Sequence, residues 1–265
     1  MPFSSDLLKG KSALITGGGT GICRGLALAF ARHGCDVAIT SRKEEHLKGT
    51  AAEIAALGVK SLALPADVRD PDAVKRVVDR AAEEFDRLDI VVNGAAGNFL
   101  CPAEQLSPNG FGTVVDIDLK GTFHVSKAAL PHLKTRGGVI LNISATLHYL
   151  GTFAQIHVSA AKAGIDALTR NLAVEWGPYG IRVNAIAPGA IGDTEGAKRL
   201  IVGDGKKRVE RSTPLGRLGA IDDIANASLF LCSDLSSYVN GAILVVDGGL
   251  WLNFSRMIDP EALPT

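Results

Sequence analysis

A glycine-rich stretch near the amino terminus, Thr16-Gly17-Gly18-Gly19-Thr20-Gly21-Ile22, constrains the fold more than any other part of the sequence. An apolar run at 12–15 precedes it, and apolar residues at helical spacing (Leu26, Ala29 and Phe30) follow it. The glycines therefore fall where a buried strand turns into a helix, which is the context of a nucleotide-binding loop. Glycine allows a tight turn and a close backbone approach to a phosphate, and the N terminus of the following helix attracts a pyrophosphate. An ordinary glycine-rich turn is the alternative, and the position and flanks of the stretch argue against it.

The composition describes a globular domain and excludes several classes of protein. With 265 residues, of which 46% are hydrophobic and 21% charged, the chain can bury the core of one domain and is too apolar to be disordered. A formal net charge of zero does not favour a nucleic acid or a membrane surface as a partner. The four cysteines are scattered without metal-ligand spacing, so we expect no metal and no disulfide. The sequence shows no signal peptide and no membrane-spanning run, and we therefore expect a cytoplasmic protein.

Short apolar runs alternate with amphipathic helical patterns along the whole chain. Strands that are apolar on both faces and separated by helices indicate a parallel sheet covered on both sides. We therefore predict an α/β protein, a single domain over residues 1–265 with a Rossmann-type, doubly wound, seven-stranded parallel sheet flanked by helices. The predicted strands are Ala13–Thr16, Asp36–Thr40, Ser61–Pro65, Ile90–Asn93, Gly138–Ile143, Arg182–Ala187 and Ala242–Val246. The helical patterns lie near 21–33, 43–57, 71–87, 110–135, 156–176 and 221–233.

The least regular stretch is Gly189–Pro214, which is rich in glycine, lysine and arginine. A plain loop of this length is unusual in a compact domain. We interpret the stretch as a partly helical, mobile lid over the substrate.

Ser41, Arg42 and Lys43 directly follow the second predicted strand. In a doubly wound sheet this strand end lies beside the adenosine ribose of a bound dinucleotide, where an acidic residue selects NAD. The first charges here are basic, and a guanidinium matches the 2′-phosphate of NADP. The sequence therefore favours NADP, the alternative being that both cations are solvated residues at a helix start.

The third and fourth predicted strands also end in candidate ligand groups. Asp67 leaves the third strand at the ligand-binding edge, where its carboxylate is suited to accept a hydrogen bond from adenine while Val68 packs on the ring. Asp67 could instead cap the next helix, but Asp70 fits that role better because Pro71 follows it. After the fourth strand, a run of small residues that includes Ala95 lets a flat ring lie against the backbone.

Taken together, these motifs resemble the short-chain dehydrogenase/reductase family over nearly the whole chain. The matching segments are Thr16–Gly21, Asp67-Val68, Asn93-Gly94-Ala95-Ala96-Gly97, Arg182-Val183-Asn184-Ala185-Ile186-Ala187-Pro188-Gly189 and Val246-Asp247-Gly248-Gly249. One departure is Cys23, which stands where the family pattern normally has its last glycine. Such a change should alter the packing of the first helix without abolishing dinucleotide binding.

A second departure concerns catalysis. The family's catalytic signature is a tyrosine four residues before a lysine, and here Val158 stands four residues before Lys162. Valine cannot donate a proton, whereas carbonyl reduction in this family needs the tyrosine as acid or base. Tyr149 lies thirteen residues before Lys162, so it cannot occupy the same helical face. A plain alcohol dehydrogenase is therefore disfavoured.

The 2,4-dienoyl-CoA reductases form a branch of the family that lacks this tyrosine, and the chain resembles their peroxisomal type. The segments that carry this resemblance are Ala95–Ala103, Asp116-Ile117-Asp118, Gly121-Thr122-Phe123, Asn142–Leu147, Leu172–Pro178 and Asp247–Leu252. Asp118 replaces the usual family asparagine, as in that branch. The C-terminal Ala-Leu-Pro-Thr differs from the Ser-Lys-Leu peroxisomal tripeptide, so the resemblance alone suggests a peroxisome.

The resemblance implies reduction of 2,4-dienoyl-CoA to 3-enoyl-CoA, a step in the β-oxidation of unsaturated fatty acids. Hydride from NADPH would add at C5, and a water held by Asp118 and Lys162 would protonate C2. Lys162 would also hold the nicotinamide ribose. Ser144 lies where the family keeps its catalytic serine, and it either polarises the thioester or is an ordinary strand-end hydroxyl. His157 either lines the site or caps a helix.

The resemblance also implies further contacts. Arg42 and Arg69 are expected to hold phosphates of CoA or cofactor, since a guanidinium fits phosphate geometry. Phe99, Ser107 and Asn109 are expected to contact the acyl-CoA. The loop at 188–194 is expected to contact the cofactor through Pro188, Gly189, Ile191 and Thr194.

Two other functions stay open at this point. One is an NADP-dependent carbonyl or enoyl reductase of the same family with a different substrate. The other is a non-catalytic NADP-binding sensor, against which the retention of Asp118 and Lys162 argues. By resemblance, the helical stretches 110–135 and 156–176 are expected to pack between the subunits of a homotetramer.

Overall fold

The computed structural model describes residues 3–192, 194, 196–197 and 203–253, in which strands and helices alternate. The strands are β1 (Ser12–Thr16), β2 (Asp36–Thr40), β3 (Ser61–Ala63), β4 (Ile90–Asn93), β5 (Gly138–Ile143), β6 (Ile181–Pro188) and β7 (Ile243–Val246). The described α-helices are α1 (Gly21–Arg32), α2 (Glu44–Ala55), α3 (Pro71–Phe85), α4 (Pro108–Val115), α5 (Gly121–Leu133), α6 (Ile156–Trp176), α7 (Gly205–Ser212) and α8 (Ile221–Cys232).

All seven strands pair in parallel, in the order β3-β2-β1-β4-β5-β6-β7. The strand order reverses between β1 and β4, because the chain crosses from one half of the sheet to the other after β3. Ligands of doubly wound sheets bind outside the carboxyl ends of the strands at this point. The predicted fold class and sheet are therefore confirmed.

Alternate residues of the central strands enter different cores. Ala13 and Ile15 pack into a cluster with side chains of α1, α2 and α8, whereas Leu14 packs into a cluster with side chains of α3, α5 and α6. Both faces of the sheet are thus covered, which explains why β1 and β4 are buried along their whole length. A strand buried on both faces reads as a continuous apolar run in the sequence.

The predicted strand and helix ends agree with the structure within two residues. The third strand ends at Ala63 rather than Pro65, while the N–H groups of Leu64 and Ala66 still donate hydrogen bonds to the carbonyls of Ile39 and Ser41. The helical stretch predicted at 110–135 begins at Pro108 and consists of α4, a π-helical turn at Asp116–Lys120, and α5.

The polar residues at two helix starts have the roles expected of caps. Asp70 accepts hydrogen bonds of 3.0 and 3.1 Å from the N–H groups of Asp72 and Ala73, so the cap of α3 is Asp70, as predicted, and Asp67 is left for another role. Ser107 caps α4 by accepting a 3.0 Å hydrogen bond from the N–H of Gly110.

The stretch interpreted as a lid is described only in part. It contains α7, while residues 193, 195 and 198–202 lie outside the described residues, as does the C-terminal tail at 254–265. Mobility of the lid stays a prediction. Across the part of the chain that the structure describes, no helix has the length and apolarity needed to cross a membrane, and no group of three or more metal-ligating side chains converges.

Candidate active site

The glycine-rich loop lies at the carboxyl end of β1 and leads into α1. Gly17 and Gly21 adopt φ angles of +71° and +56°, a left-handed conformation that favours glycine. A Cβ on Gly17 would lie 2.9 Å from the carbonyl oxygen of Gly94, whereas a Cβ on Gly21 would meet only Thr194, at 3.9 Å. Gly17 is therefore needed by the fold itself, and Gly21 borders open space.

The sulfur of Cys23 packs against the end of β4. A Cβ on Gly94 would lie 2.0 Å from Cys23 Sγ, so the extra volume of Cys23 is accommodated because its neighbour has no side chain. The family departure at this position thus changes the packing between α1 and β4 and leaves the loop before α1 in place.

The N terminus of α1 is free to receive an anion. Thr20 precedes the helix and makes no side-chain capping hydrogen bond, so the first N–H groups of the helix have no side-chain partner within the described residues. Together with the open space at Gly21, these donors fit the pyrophosphate of a dinucleotide. The predicted contacts from Gly17 to Ile22 all lie in this loop or at the first turn of α1.

Thr16 links the glycine loop to the next strand end. Its hydroxyl oxygen accepts hydrogen bonds of 2.9 and 3.0 Å from the N–H groups of Gly94 and Ala95. These contacts hold the carboxyl ends of β1 and β4 side by side. The crevice at the switch point of the sheet is therefore fixed by a hydrogen-bonded side chain.

The groups predicted to read the adenosine end lie after β2 and β3. Arg42 is exposed and makes no hydrogen bond or ion pair with the described residues. Asp67 instead forms a two-oxygen ion pair with Arg69, with distances of 2.6 to 3.1 Å. The hydrogen bond from the Arg69 side chain is the largest cause that holds the pKa of Asp67 below its usual value. The nearby charge of Arg42 adds to this shift, whereas burial acts in the opposite direction. Two predicted ligand groups thus bind each other, while Arg42 stays available.

Val68 lies behind this pair and is almost fully buried. A Cβ on Gly121 would lie 2.7 Å from its Cγ2 atom, so Val68 packs directly on the start of α5. His124 Nδ1 lies 2.9 Å from the carbonyl oxygen of Val68. These contacts fix the wall on which an adenine ring is predicted to pack.

A buried amide ladder ties the strands beside the site. Asn93 donates through Nδ2 to Asn142 Oδ1 at 2.8 Å and to Ser126 Oγ at 3.0 Å. Asn142 in turn donates to Thr169 Oγ1 at 2.8 Å. Asn93 therefore holds β4, β5 and two helices together.

Asp118 and Lys162 form a buried ion pair at the ends of β4 and β5. Asp118 Oδ1 accepts a 2.7 Å hydrogen bond from the N–H of Gly97, and Lys162 Nζ lies 3.3 Å from Oδ2. Nζ also donates a 2.9 Å hydrogen bond to the carbonyl of Ile143. The two residues are 0% and 6% exposed, and buried charges of opposite sign persist because each is paired and hydrogen-bonded.

Oδ2 of Asp118 faces Lys162 in the ion pair but can still accept a hydrogen bond from another group. Oδ2 accepts no hydrogen bond from the described residues, since Lys162 Nζ is near it but outside hydrogen-bonding geometry. Burial raises the pKa of Asp118, and Lys162, the N–H of Gly97 and His157 oppose that shift. A carboxyl with a raised pKa and a free oxygen is suited to hold a water and to exchange a proton with it.

The π-helical turn separates two nearby carboxylates. Asp118 points into the site from this turn, whereas Asp116 forms an ion pair with Lys120 at 2.7 Å, both partly exposed. Such turns, inserted between α-helical segments, occur frequently at functional sites. The sequence pattern predicted Asp118 but not this change of backbone geometry.

The hydroxyl of Ser144 is bonded to a carboxylate that sequence analysis missed. Ser144 Oγ donates a 2.5 Å hydrogen bond to Oδ1 of Asp166, which is 2% exposed. His148 Nε2 and the Tyr149 hydroxyl lie 2.8 and 3.2 Å from Oδ2. Asp166 follows Lys162 by four residues on α6, so it lies on the same helical face, and this spacing is the signal that would have indicated it.

Tyr149 does not replace the missing tyrosine of the family signature. It lies before α6, its hydroxyl is directed to Asp166, and its ring packs edge-on against Trp251 with centroids 5.3 Å apart. Burial and Asp166 raise the pKa of Tyr149 to about 12. A phenol with this pKa holds its proton tightly, which makes Tyr149 a poor acid.

Val158, which stands at the signature position, is buried in a small apolar cluster. It packs with Val114 and Ala161, and Leu119 and Leu147 lie against them. Val158 is 3% exposed. Apolar side chains, rather than open space, therefore surround the position of the family tyrosine.

His157, the next residue on α6, has a different environment. Its imidazole is fully buried and stacks on the ring of Phe99, with centroids 4.3 Å apart and an angle of 29° between the rings. Neither ring nitrogen makes a hydrogen bond within the described residues, and Oδ1 of the neighbouring Asn98 is also unpaired. His157 therefore lines the site and does not cap a helix.

The loop after β6 approaches the glycine loop, as the predicted cofactor contacts require. Pro188 ends β6, and a Cβ on Gly189 would lie 2.6 Å from Asp247 Cβ. Ile191 is buried and pairs with Gly219, and Thr194 lies beside Gly21. Thr194 therefore borders the N terminus of α1, and contact of Pro188, Gly189, Ile191 and Thr194 with a cofactor stays a prediction.

The predicted acyl-CoA contacts lie after β4. Phe99 is 39% exposed. The side chain of Ser107 is engaged in the cap of α4, and the carbonyl of Asn109 accepts a 2.8 Å hydrogen bond from the Thr113 hydroxyl. Their contact with substrate stays a prediction.

Comparisons with known proteins agree with this site. A family model described as enoyl-(acyl carrier protein) reductase matches residues 17–251. A solved structure of 7α-hydroxysteroid dehydrogenase, complexed with NADH and 7-oxo glycochenodeoxycholic acid, has a TM-score of 0.89 and 35% identity, covering 93% of this chain and 97% of its own. The chain belongs to the short-chain dehydrogenase/reductase family of oxidoreductases, and membership indicates a nicotinamide cofactor.

Within the family, the chain is similar to proteins that share one name. A peroxisomal 2,4-dienoyl-CoA reductase [(3E)-enoyl-CoA-producing] of Arabidopsis thaliana is 48% identical, over 99% of this chain and 91% of the relative. The protein of that name from Rattus norvegicus is 51% identical, over 97% and 89%. A probable 2,4-dienoyl-CoA reductase [(2E)-enoyl-CoA-producing] of Bacillus subtilis is 45% identical, over 92% and 97%.

Proposed function

We propose that this protein reduces 2,4-dienoyl-CoA to 3-enoyl-CoA with NADPH, in the β-oxidation of unsaturated fatty acids. The observation that carries the proposal is the buried Asp118–Lys162 pair beside a signature position filled by Val158. The site thus has a proton-exchanging carboxyl and lacks the phenol that ketone reduction requires. The names of the relatives from Arabidopsis thaliana and Rattus norvegicus support the substrate and the product.

The choice of NADPH rests on Arg42. It is exposed at the end of β2, has no described hydrogen-bonding or ion-pair partner, and lies where the adenosine ribose of a dinucleotide sits. Ser41 beside it donates its hydroxyl to the carbonyl of Lys43. No acidic side chain occupies this strand end, so a 2′-phosphate meets a free cation rather than a like charge.

When bound, the reduced nicotinamide supplies the hydride that is added at C5. Lys162 would hold the nicotinamide ribose, and its charge favours the dienolate anion that is delocalised over C4, C2 and the thioester oxygen. Asp118 binds a water through its free Oδ2 atom and directs it to C2, which receives the proton. Val158, which replaces the family tyrosine and is buried among apolar side chains, offers no proton donor to the thioester oxygen.

Ser144 takes a restricted role in this mechanism. A hydroxyl group can donate one hydrogen bond, and the hydroxyl of Ser144 donates its hydrogen bond to Asp166. While this bond is present, Ser144 offers lone pairs to the site and cannot donate to the thioester oxygen. We therefore assign it to orienting water or cofactor groups beside Lys162.

The function is tested by following NADPH oxidation with 2,4-dienoyl-CoA, with 2-enoyl-CoA and ketones as comparison substrates. We expect turnover with the dienoyl-CoA alone and a 3-enoyl-CoA product, separated from the 2-enoyl isomer by chromatography. If the protein binds NADPH but none of the dienoyl-CoA substrates causes NADPH oxidation, the proposal is contradicted and a non-catalytic sensor is favoured.

A second reductase function is supported by two comparisons. The matching family model is described as enoyl-(acyl carrier protein) reductase, and the Bacillus subtilis relative is named for a (2E)-enoyl product. Turnover of 2-enoyl thioesters, or a 2-enoyl product, would support this second function.

We also propose a cytoplasmic homotetramer that acts on a small-molecule acyl-CoA, without nucleic acid or membrane as partner. Large apolar side chains are exposed on α5 and α6, where Phe123 and Val174 are 44% and 78% exposed, which suits burial between subunits. Light scattering of the full chain measures the assembly. Imaging of a tagged chain distinguishes the cytoplasm from the peroxisome named in the relatives.

A further inference from the structure

Four of the ten buried side-chain atoms that lack a hydrogen bond within the described residues belong to Asp118, His157 and Asn98. Both ring nitrogens of His157, Oδ2 of Asp118 and Oδ1 of Asn98 are buried without a hydrogen bond to the described residues. Leaving a buried polar group without a hydrogen-bonding partner destabilises the folded protein. Several such groups in one neighbourhood indicate a place for bound water, since water satisfies buried donors and acceptors together.

His157 is held rigidly in this neighbourhood. Its ring stacks on Phe99 at 4.3 Å, and it lies on α6, five residues before Lys162. The segment after β4 connects His157 to Asp118, since the N–H of Gly97 donates to Asp118 Oδ1 and the ring of Phe99 stacks on His157. The imidazole is therefore placed beside the carboxylate to which the proposed mechanism assigns the water.

The protonation state of the ring suits transfer of a proton through it. Burial lowers the pKa of His157, and the Phe99 backbone and Asp118 act in the opposite direction. A neutral imidazole has one N–H donor and one acceptor nitrogen, on opposite sides of the ring. It can give a proton from one nitrogen while the other takes one up.

We propose that His157 relays protons from solvent to the water bound by Asp118. This proposal rests on the proposed reduction of dienoyl-CoA, which takes one proton from that water in each turnover and leaves the water to be reprotonated. C5 receives the hydride and C2 receives a proton from the water, which becomes hydroxide. One nitrogen of His157 gives its proton to that hydroxide, and the other takes a proton that enters past Asn98 and Phe99. The balance is one hydride from NADPH and one proton from solvent for each 3-enoyl-CoA released.

The test compares two variants of the full chain with a control. His157→Phe keeps an aromatic ring to stack on Phe99 and removes both nitrogens. His157→Gln keeps one donor and one acceptor but cannot pass a proton through itself. Phe99→Leu removes the stacking and keeps the imidazole. Because Phe99 is also a predicted acyl-CoA contact, only the solvent isotope effect of this variant, and not its KM or kcat, serves as the control.

Turnover and the KM values for NADPH and 2,4-dienoyl-CoA are measured in H2O and in D2O. We expect both His157 variants to lose about 10- to 100-fold in kcat. This loss is at or below the lower end of the ~10²- to 10⁴-fold range for acid–base catalysis, because the relay reprotonates the donor water and is not itself the donor to C2. The KM values stay within about twofold and the solvent isotope effect on kcat increases, which loss of a merely structural contact does not produce. Phe99→Leu keeps the wild-type isotope effect.

Three results overturn the relay. They are a wild-type kcat in His157→Phe, full activity in His157→Gln, and a loss confined to KM. If His157→Phe does not fold, as judged by thermal unfolding, His157→Gln decides alone. A wild-type protein that is inactive on dienoyl-CoA refutes the proposed function, whereas an active wild type with unchanged variants refutes only the relay.

Discussion

The cofactor region and the reaction region of this site are built in different ways. The cofactor region consists of short contiguous segments at the ends of β1 and β2, with open backbone donors at α1 and an exposed Arg42. The reaction region consists of buried polar side chains from distant segments, among them Asp118, Lys162 and Asp166. Recognition of the dinucleotide thus depends on local chain geometry, whereas the chemistry depends on how buried groups are paired.

Substitution of Asp118 should show the largest difference between the two regions, with a large effect on kcat and little effect on NADPH binding. We expect Asp118→Asn to lower kcat by about 10²- to 10⁴-fold, because the carboxyl that exchanges a proton with water is lost. The dissociation constant for NADPH, measured by fluorescence, should stay within about twofold because the cofactor loop is untouched. Asp116→Asn is the matched control in the same π-helical turn, and it should behave as wild type. Unchanged turnover in Asp118→Asn would remove this residue from the mechanism.

Exchange of Arg42 should affect the cofactor region alone. Replacing the free guanidinium by a carboxylate in Arg42→Asp removes a charged hydrogen bond to the 2′-phosphate, so NADPH affinity should fall by about 10- to 100-fold. NADH should gain relative to NADPH, while kcat at saturating cofactor changes little. Lys43→Asp, the neighbouring exposed position, is the control. An unchanged preference would show that Arg42 does not read the phosphate.

Exchange of Val158 tests whether the signature position is packed. A larger side chain in Val158→Phe must displace Val114 or Ala161, and overpacking of this kind costs about 1–3 kcal/mol of unfolding free energy. Turnover should also fall, because α6 carries Lys162. Leu57→Phe is the control, since Leu57 is 41% exposed and lies outside the site and the proposed subunit contacts. Wild-type stability and rate in Val158→Phe would mean that the position has spare room.

The smallest expected effect concerns the Asp166 cluster. Because the pKa of Tyr149 is raised from 10.0 to about 12 in the folded protein, folding stability should decline as pH rises through this interval. The folded state binds this proton more tightly than the unfolded state, so the contribution is full below pH 10 and lost above about pH 12.

Denaturant unfolding at several pH values measures this dependence. Tyr149→Phe should flatten it between pH 10 and about 12. Asp166→Asn should lower the pKa of Tyr149 in a spectroscopic titration, because it removes a negative charge and a hydrogen-bond acceptor. An identical pH dependence in Tyr149→Phe and wild type would contradict this assignment.

Much of the fold was predictable because its signals are local. Apolar runs, glycines and helix caps act within a few residues of each other, as Asp70 and Pro71 show at the start of α3. The π-helical turn at Asp116–Lys120 was not predictable, since helical periodicity does not distinguish it from a continuous α-helix. The pairing of Asp67 with Arg69 was missed because both were assigned to ligands.

The sequence by itself determined the family, the sheet and the position of the cofactor loop, since these follow from contiguous motifs. It also indicated an unusual reaction, through Val158 at the signature position. Only the tertiary structure decided which polar groups of the reaction region are satisfied and which are free. The hydroxyl of Ser144 donates its hydrogen bond to Asp166. Oδ2 of Asp118 and both ring nitrogens of His157 make no hydrogen bond within the described residues. Such pairing depends on distances between residues far apart in the chain, which no local pattern encodes.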